Sequence, residues 1–139
     1  MYRHILLAAD GSHNSIRAAK EAVKIAKCSD ETLITILFVI DVEKVKKEIL
    51  HAQSNESLYM ERRQKLLPIE QLFEEQNVNF KVEMVHGTPG LEIIKFANSE
   101  QVDLVVIGSR GLNGLQEMVL GSVSHKVIKR VNCPALIVK

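Results

Sequence analysis

The chain has no tryptophan, and aromatic residues make up only 4% of its 139 positions. Single-stranded nucleic acid is held largely by stacking bases on aromatic rings, so no such platform is expected. Neither sign of charge is in excess: 18 Lys and Arg against 17 Asp and Glu leave a formal net charge of +1. Without a basic surplus there is no electrostatic reason to bind DNA, RNA or an anionic membrane. Cysteine is confined to Cys28 and Cys133, with no CxxC pair and no metal-ligand spacing, which points to two buried, reduced thiols. The apolar run at Ile5–Ala9 is far too short for a signal peptide or a membrane span. The expectation is a cytoplasmic protein without membrane attachment.

What is present has the pattern of alternating strands and helices. The continuous apolar runs Ile5–Ala9, Leu33–Ile40 and Val102–Ile107 suit strands buried on both faces. Phe80, Val82 and Met84 alternate with Lys81 and Glu83, as in an edge strand, and Ala135–Val138 forms a last short strand after Pro134. Between them lie helical stripes. Ile16, Ala19, Ala22, Val23 and Ala26 mark the first, with Ser12, Asn14 and Ser15 as candidate caps. Leu91, Ile94 and Ala97 mark a later one, started by Thr88 and Pro89. Leu120, Val123, Val127, Ile128 and Val131 mark the last. Residues 43–77 read as a charged amphipathic helix pair, with Val45 and Ile49 on one face early and Leu66, Ile69, Leu72 and Phe73 on one face later. Gln53, Ser54 and Asn55 separate its two parts, and Pro68 starts or kinks the second. That pair is either a solvated layer or a lid over a site. The order β-α-β-α-β-α-β-α-β predicts an α/β domain over residues 1–139, a mostly parallel sheet covered on both faces. Ligands of such sheets bind beyond the C-terminal strand ends, where the strand order reverses. Asp10, Asp41 and Gly108 fall at those ends.

Gly108, Gly111, Gly114 and Gly121 place four of the chain's seven glycines in fourteen residues. An apolar strand running into a glycine-rich loop and then a helix start is a common way to hold phosphate. Alternatives remain at each position. The glycines make tight turns in any case, Asp10 suits a helix cap, and Asp41 suits a strand end. Arg110 either neutralises phosphate or points to solvent, and Ser109 and Ser124 suit structural roles, with Ser109 also placed to donate to a phosphate. Other chemistries lack their signatures. There is no GxxxxGK[ST] and no GxGxxG, and His4, His13, His51, His86 and His125 show no ligand spacing. No Ser-His-Asp or Cys-His arrangement and no general base beside the loop is visible. No carboxylate cluster suggests a dedicated metal cage.

Gly108, two residues, Gly111, nine residues, then Gly121-Ser122 form a G-x2-G-x9-G-[ST] pattern. With HILLAADGS at the start, FVID, HGTPG, DLVVIGSRG and the closing NCPALIVK, the chain resembles the universal stress protein family in its nucleotide-binding branch. The resemblance implies an open, five-stranded, Rossmann-like sheet of the adenine nucleotide α-hydrolase-like kind. It implies ATP as ligand, with Mg²⁺ a candidate companion, held by Ala9, Asp10, Val39, Gly108, Ser109, Arg110, Gly111, Gly121, Ser122 and Val123. In that reading Asp10 contacts the ribose, Val39 lines the adenine pocket, and the glycines let backbone N–H groups approach the phosphates. Gly114 is extra to the pattern. The resemblance also implies a homodimer through Ala135, Leu136, Ile137 and Val138, and a nucleotide-dependent sensor or adaptor in the stress response, with an unidentified protein partner. The alternatives are a dimeric interaction protein of the same fold that binds no nucleotide, and a slow ATPase. Catalysis beyond slow hydrolysis is not expected.

Overall fold

The computed structural model describes residues 1–41, 43, 55–109 and 121–139. Five strands, β1 (His4–Ala8), β2 (Leu33–Asp41), β3 (Asn79–Gly87), β4 (Leu104–Gly108) and β5 (Ala135–Val138), form one sheet in the order β3-β2-β1-β4-β5. Every pairing is parallel. The described helices are α1 (His13–Ala26), α2 (Asn55–Gln64), α3 (Leu67–Glu75), α4 (Pro89–Ser99) and α5 (Ser122–Arg130).

The central strands are apolar throughout because each face of the sheet needs its own layer of side chains. Successive residues of a strand point to opposite faces. Ile5 and Leu7 of β1, with Ile34, Ile36 and Phe38 of β2 and Val106 of β4, therefore join α1 and α3 in one core. Leu6 and Ala8, with Leu37, Val105 and Ile107, meet Ile93 and Ala97 of α4 and Val127 of α5 in the other. α1 packs through Ala18, Ala19, Ala22 and Ala26, whose small side chains let the helix lie close to the strands. α3 contributes Phe73, fully buried and edge-on to Phe80 of β3 at 5.5 Å between ring centroids. Burying a ring of that size stabilises the fold by about 1.5–3 kcal/mol. β3 is an edge strand, as its alternation predicts, with Lys81 and Glu83 on its polar side.

One buried polar pair sits at the bottom of the sheet. Thr35 is fully buried, and its Oγ1 lies 2.7 Å from His4 Nε2. Asp103 Oδ2 accepts from the backbone N–H groups of Arg3 and His4, both at 2.9 Å, and so ties the start of β1 to that of β4.

Three expectations need correction. α4 buries Gly90, Ile93 and Ala97, while Leu91 is 50% exposed. α5 buries Ser124 and Val127, while Ile128 is exposed. In both helices the buried stripe is rotated from the expected one: Ala97 and Val127 of it are buried, whereas Leu91 and Ile128 turn to solvent. The cysteines are not buried: Cys28 is exposed after α1, and Cys133 is half-buried. Burial still pushes the Cys133 thiol pKa up. Pro68 stands in the first turn of α3, as expected. Ser12 is the N-cap of α1. Val45, Ile49, Gln53, Ser54, Arg110, Gly111, Gly114 and Leu120 lie outside the described residues.

Candidate functional site

The sheet order reverses at β1, from which β2 lies on one side and β4 on the other. The helices that follow β1 and β4 pack on opposite faces, so their first turns diverge and leave a cleft between them. That cleft has a volume of about 550 Å³, within the roughly 300–1,000 Å³ usual for small-molecule sites. Ala8, Ala9, Leu37, Phe38, Val39 and Ile107 form its apolar floor. Asp10 and Asp41 stand at the ends of their strands, and Ser109, Ser122 and Ser124 supply hydroxyl groups.

Of the expected site residues, Ala9, Asp10, Val39, Gly108, Ser109, Ser122 and Val123 line this one cleft. Gly121 precedes Ser122 as the N-cap of α5, with φ −64° and ψ 157°, a backbone shape open to any residue. Arg110 and Gly111 fall outside the described residues.

Several groups already have partners. Asp10 Oδ1 accepts from the Ser12 N–H at 2.9 Å, closing a small turn, while Ser12 Oγ caps α1 by accepting from the Ser15 N–H. Asp41 Oδ1 accepts from the Glu43 N–H at 3.0 Å. Ser109 donates twice to the Val138 carbonyl, from N–H at 2.8 Å and from Oγ at 3.3 Å. Ser124 Oγ donates to the Gly108 carbonyl at 3.2 Å, which pins the start of α5 to the end of β4. Gly108 has a packing reason of its own: a Cβ there would stand 2.8 Å from Asn14 O and 2.9 Å from Asn14 Cβ.

The helix starts differ. α1 is capped by the Ser12 side chain, but among the described residues the N-cap positions of α4 and α5, Thr88 and Gly121, make no side-chain cap hydrogen bond. The first N–H groups of a helix lack intrahelical acceptors and carry a partial positive charge. Two uncapped starts, at Thr88–Gly90 and at Ser122–Ser124, therefore face the same cleft. Such an arrangement can receive an anionic ligand above an apolar floor. Among the described residues no cluster of His, Cys, Asp or Glu could hold a metal ion.

Sequence reasoning missed the walls contributed from a distance. Thr88, Pro89 and Gly90 read only as a helix start, and Arg62, Lys65 and Lys126 carried no signal, yet all six line the cleft. The first three were discoverable, since each strand-to-helix turn of a parallel sheet opens at the same end. Lys65 depends on the α2–α3 corner folding over Gly11, which has φ +81° and lies against Lys65. Of the segment at 43–77, read as a solvated layer or a lid, the described part at 55–77 thus supplies part of the wall. That part is anchored, because Leu58, Leu66, Ile69 and Phe73 are buried. Among the described residues no helix is long and apolar enough to cross a membrane.

Known proteins are similar to this chain in sequence and in fold. The universal stress protein MJ0531 of Methanocaldococcus jannaschii is 37% identical over 142 residues, covering 100% of this chain and 83% of that protein. MJ0577 of the same organism is 35% identical over 156 residues, covering 100% of this chain and 96% of its own. Its solved structure superposes with a TM-score of 0.86 at 34% identity, over 100% of this chain and 96% of that one. A universal stress protein solved in complex with cAMP shares the fold at 23% identity and a TM-score of 0.71, over 99% of this chain and 96% of that one. The match to the universal stress protein family runs over residues 1–139, and the chain belongs to that family.

Proposed function

We propose that the cleft binds an adenine nucleotide, ATP with its accompanying Mg²⁺, and that the protein acts as a nucleotide-dependent sensor or adaptor in the stress response rather than as a catalyst. The observation that carries this reading is the convergence of Ala9, Asp10, Val39, Gly108, Ser109, Ser122 and Val123 on one cleft of about 550 Å³ at the reversal of strand order. The base lies over Val39, the ribose beside Asp10, and the phosphates at the uncapped start of α5, where Gly121 leaves the approach open. Arg110 and Gly111, which lie outside the described residues, belong to the same sequence pattern as Gly108 and Gly121-Ser122. In this reading the metal comes with the phosphates.

Among the described residues the cleft is lined by two carboxylates, Asp10 and Asp41. Both carboxylates of the cleft accept hydrogen bonds from nearby backbone N–H groups. In this reading turnover is slow or absent. Calorimetric titration of the purified protein with ATP and Mg²⁺ tests the reading; no heat of binding at millimolar ATP would sink it.

The working unit in this reading is a homodimer in the cytoplasm. Among the described residues β5 pairs with β4 alone, and Ala135, Leu136, Ile137 and Val138 are all partly buried. An apolar edge strand left bare invites pairing, and a two-fold axis along it would close both edges. Light scattering at micromolar concentration is expected to return twice the chain mass; a monomer would count against the dimer.

A further inference from the structure

Two exposed lysines border the cleft from opposite faces of the sheet. Lys65 sits at the α2–α3 corner beside Leu66, which is fully buried with α1 in one core. Lys126 precedes Val127, which is fully buried in the other. In each case the backbone is anchored by its apolar neighbour while the charged side chain stays in water.

Each lysine also lies against a glycine of a strand-to-helix turn. A Cβ on Gly11 would stand 2.6 Å from Lys65 Cβ and 3.2 Å from Lys65 O. A Cβ on Gly90 would stand 3.4 Å from Lys126 Cδ and 3.7 Å from Lys126 Cβ. The corner that carries Lys65 is braced by Arg63 of α2, whose guanidinium forks onto Glu70 of α3, with Nη2 2.7 Å from Oε1. That hydrogen bonding pushes the Arg63 pKa up.

Among the described residues neither Lys65 nor Lys126 is paired with a carboxylate. Arg62 lines the same cleft but has an interaction of its own. Two cations without a carboxylate partner, anchored at their backbones on opposite sides of one cleft, respond to how far a ligand's anionic oxygens extend, and a triphosphate chain spreads them over more of the cleft than a single phosphate does.

We propose that Lys65 and Lys126 set the cleft's preference for the number of phosphates on its ligand, so that a nucleoside triphosphate is held more tightly than a monophosphate or a cyclic phosphate. This inference rests on the nucleotide reading above. Exposed charges attract weakly in water, so each lysine gives a graded preference of about threefold and the pair about tenfold. The preference shrinks with added salt, since exposed charges are screened.

The test compares affinities for ATP, ADP, AMP and cAMP, at fixed Mg²⁺ and at low and high salt, in the wild type, Lys65→Gln, Lys126→Gln and the double variant. The expected result is a wild-type preference for ATP over AMP and cAMP. Each single variant narrows that gap about threefold and the double variant about tenfold, mainly through weaker ATP binding. Lys65→Arg and Lys126→Arg retain the gap. An equal affinity of the wild type for ATP and AMP would overturn the inference. So would an unchanged gap in a double variant that still binds ATP, and both results leave nucleotide binding standing. A wild type that binds none of the four ligands removes the nucleotide reading itself, and the inference with it.

Discussion

Gly108 and Asn14 are in such close contact that a side chain on the glycine has nowhere to go. A Cβ there would meet Asn14 O at 2.8 Å, its Cβ at 2.9 Å and its carbonyl carbon at 3.0 Å. Two of those three atoms are backbone, held in the first turn of α1, so they cannot swing away. Gly108→Ala is therefore expected to cost about 1–3 kcal/mol, the range for overpacking. Urea denaturation measures it. An unchanged midpoint would show that α1 yields easily and that the glycine is kept for another reason.

Gly11 carries a double constraint, a left-handed φ of +81° and Lys65 Cβ 2.6 Å from the position of an added Cβ. Gly11→Ala should be destabilised by about 1–3 kcal/mol from the backbone alone, with the contact adding to that. The damage should concentrate at the α2–α3 corner. Hydrogen exchange is expected to rise first around Arg62–Leu66, while the β1 amides stay protected.

Gly121 presents the opposite case. Its φ of −64° and ψ of 157° suit any residue. Gly121→Val should cost no more than about 1 kcal/mol, the scale of N-cap preferences. ATP binding, in the proposed reading, should nevertheless be lost, because the valine side chain occupies the phosphate approach. Retained binding with an intact fold would move the phosphates away from the start of α5.

His4 makes stability depend on mildly acidic pH. Burial lowers its pKa from the ordinary value of about 6.5, and the charge of Lys81 lowers it further, against smaller opposing effects of Asp103 and Glu100. A lowered folded value means that the unfolded chain takes up the proton first. The neutral ring's contribution is complete above pH 6.5 and is lost as pH falls through the folded value. Denaturation midpoints measured from pH 7.5 downward should decline in that window in the wild type, and the decline should be smaller in His4→Gln.

The sheet was readable because its central strands are apolar on both sides, a pattern that Leu33–Ile40 and Leu104–Ile107 could satisfy in no other layer. The edge position of β3 followed from Lys81 and Glu83. The helix faces were less readable. Leu91 and Ile128 look like core residues by type, yet the packing buries Ile93 and Ser124 instead, and residue type alone does not set how a helix is rotated against its sheet. At the site, the residues that end β1 and β4 announced themselves by where an apolar run stops. Lys65 and Lys126 did not, because each reaches the cleft through a contact with a glycine distant in sequence. Such a contact leaves no local pattern.

Ser109 stands in two places at once. It lines the cleft, and both its N–H and its hydroxyl donate to Val138, the last residue of β5. A ligand that drew the Ser109 hydroxyl toward itself would have to take that donor from Val138. Filling the cleft and securing the outermost strand are thus competing uses of one side chain, and news of occupancy needs to travel only a single hydrogen bond to reach the rim of the sheet.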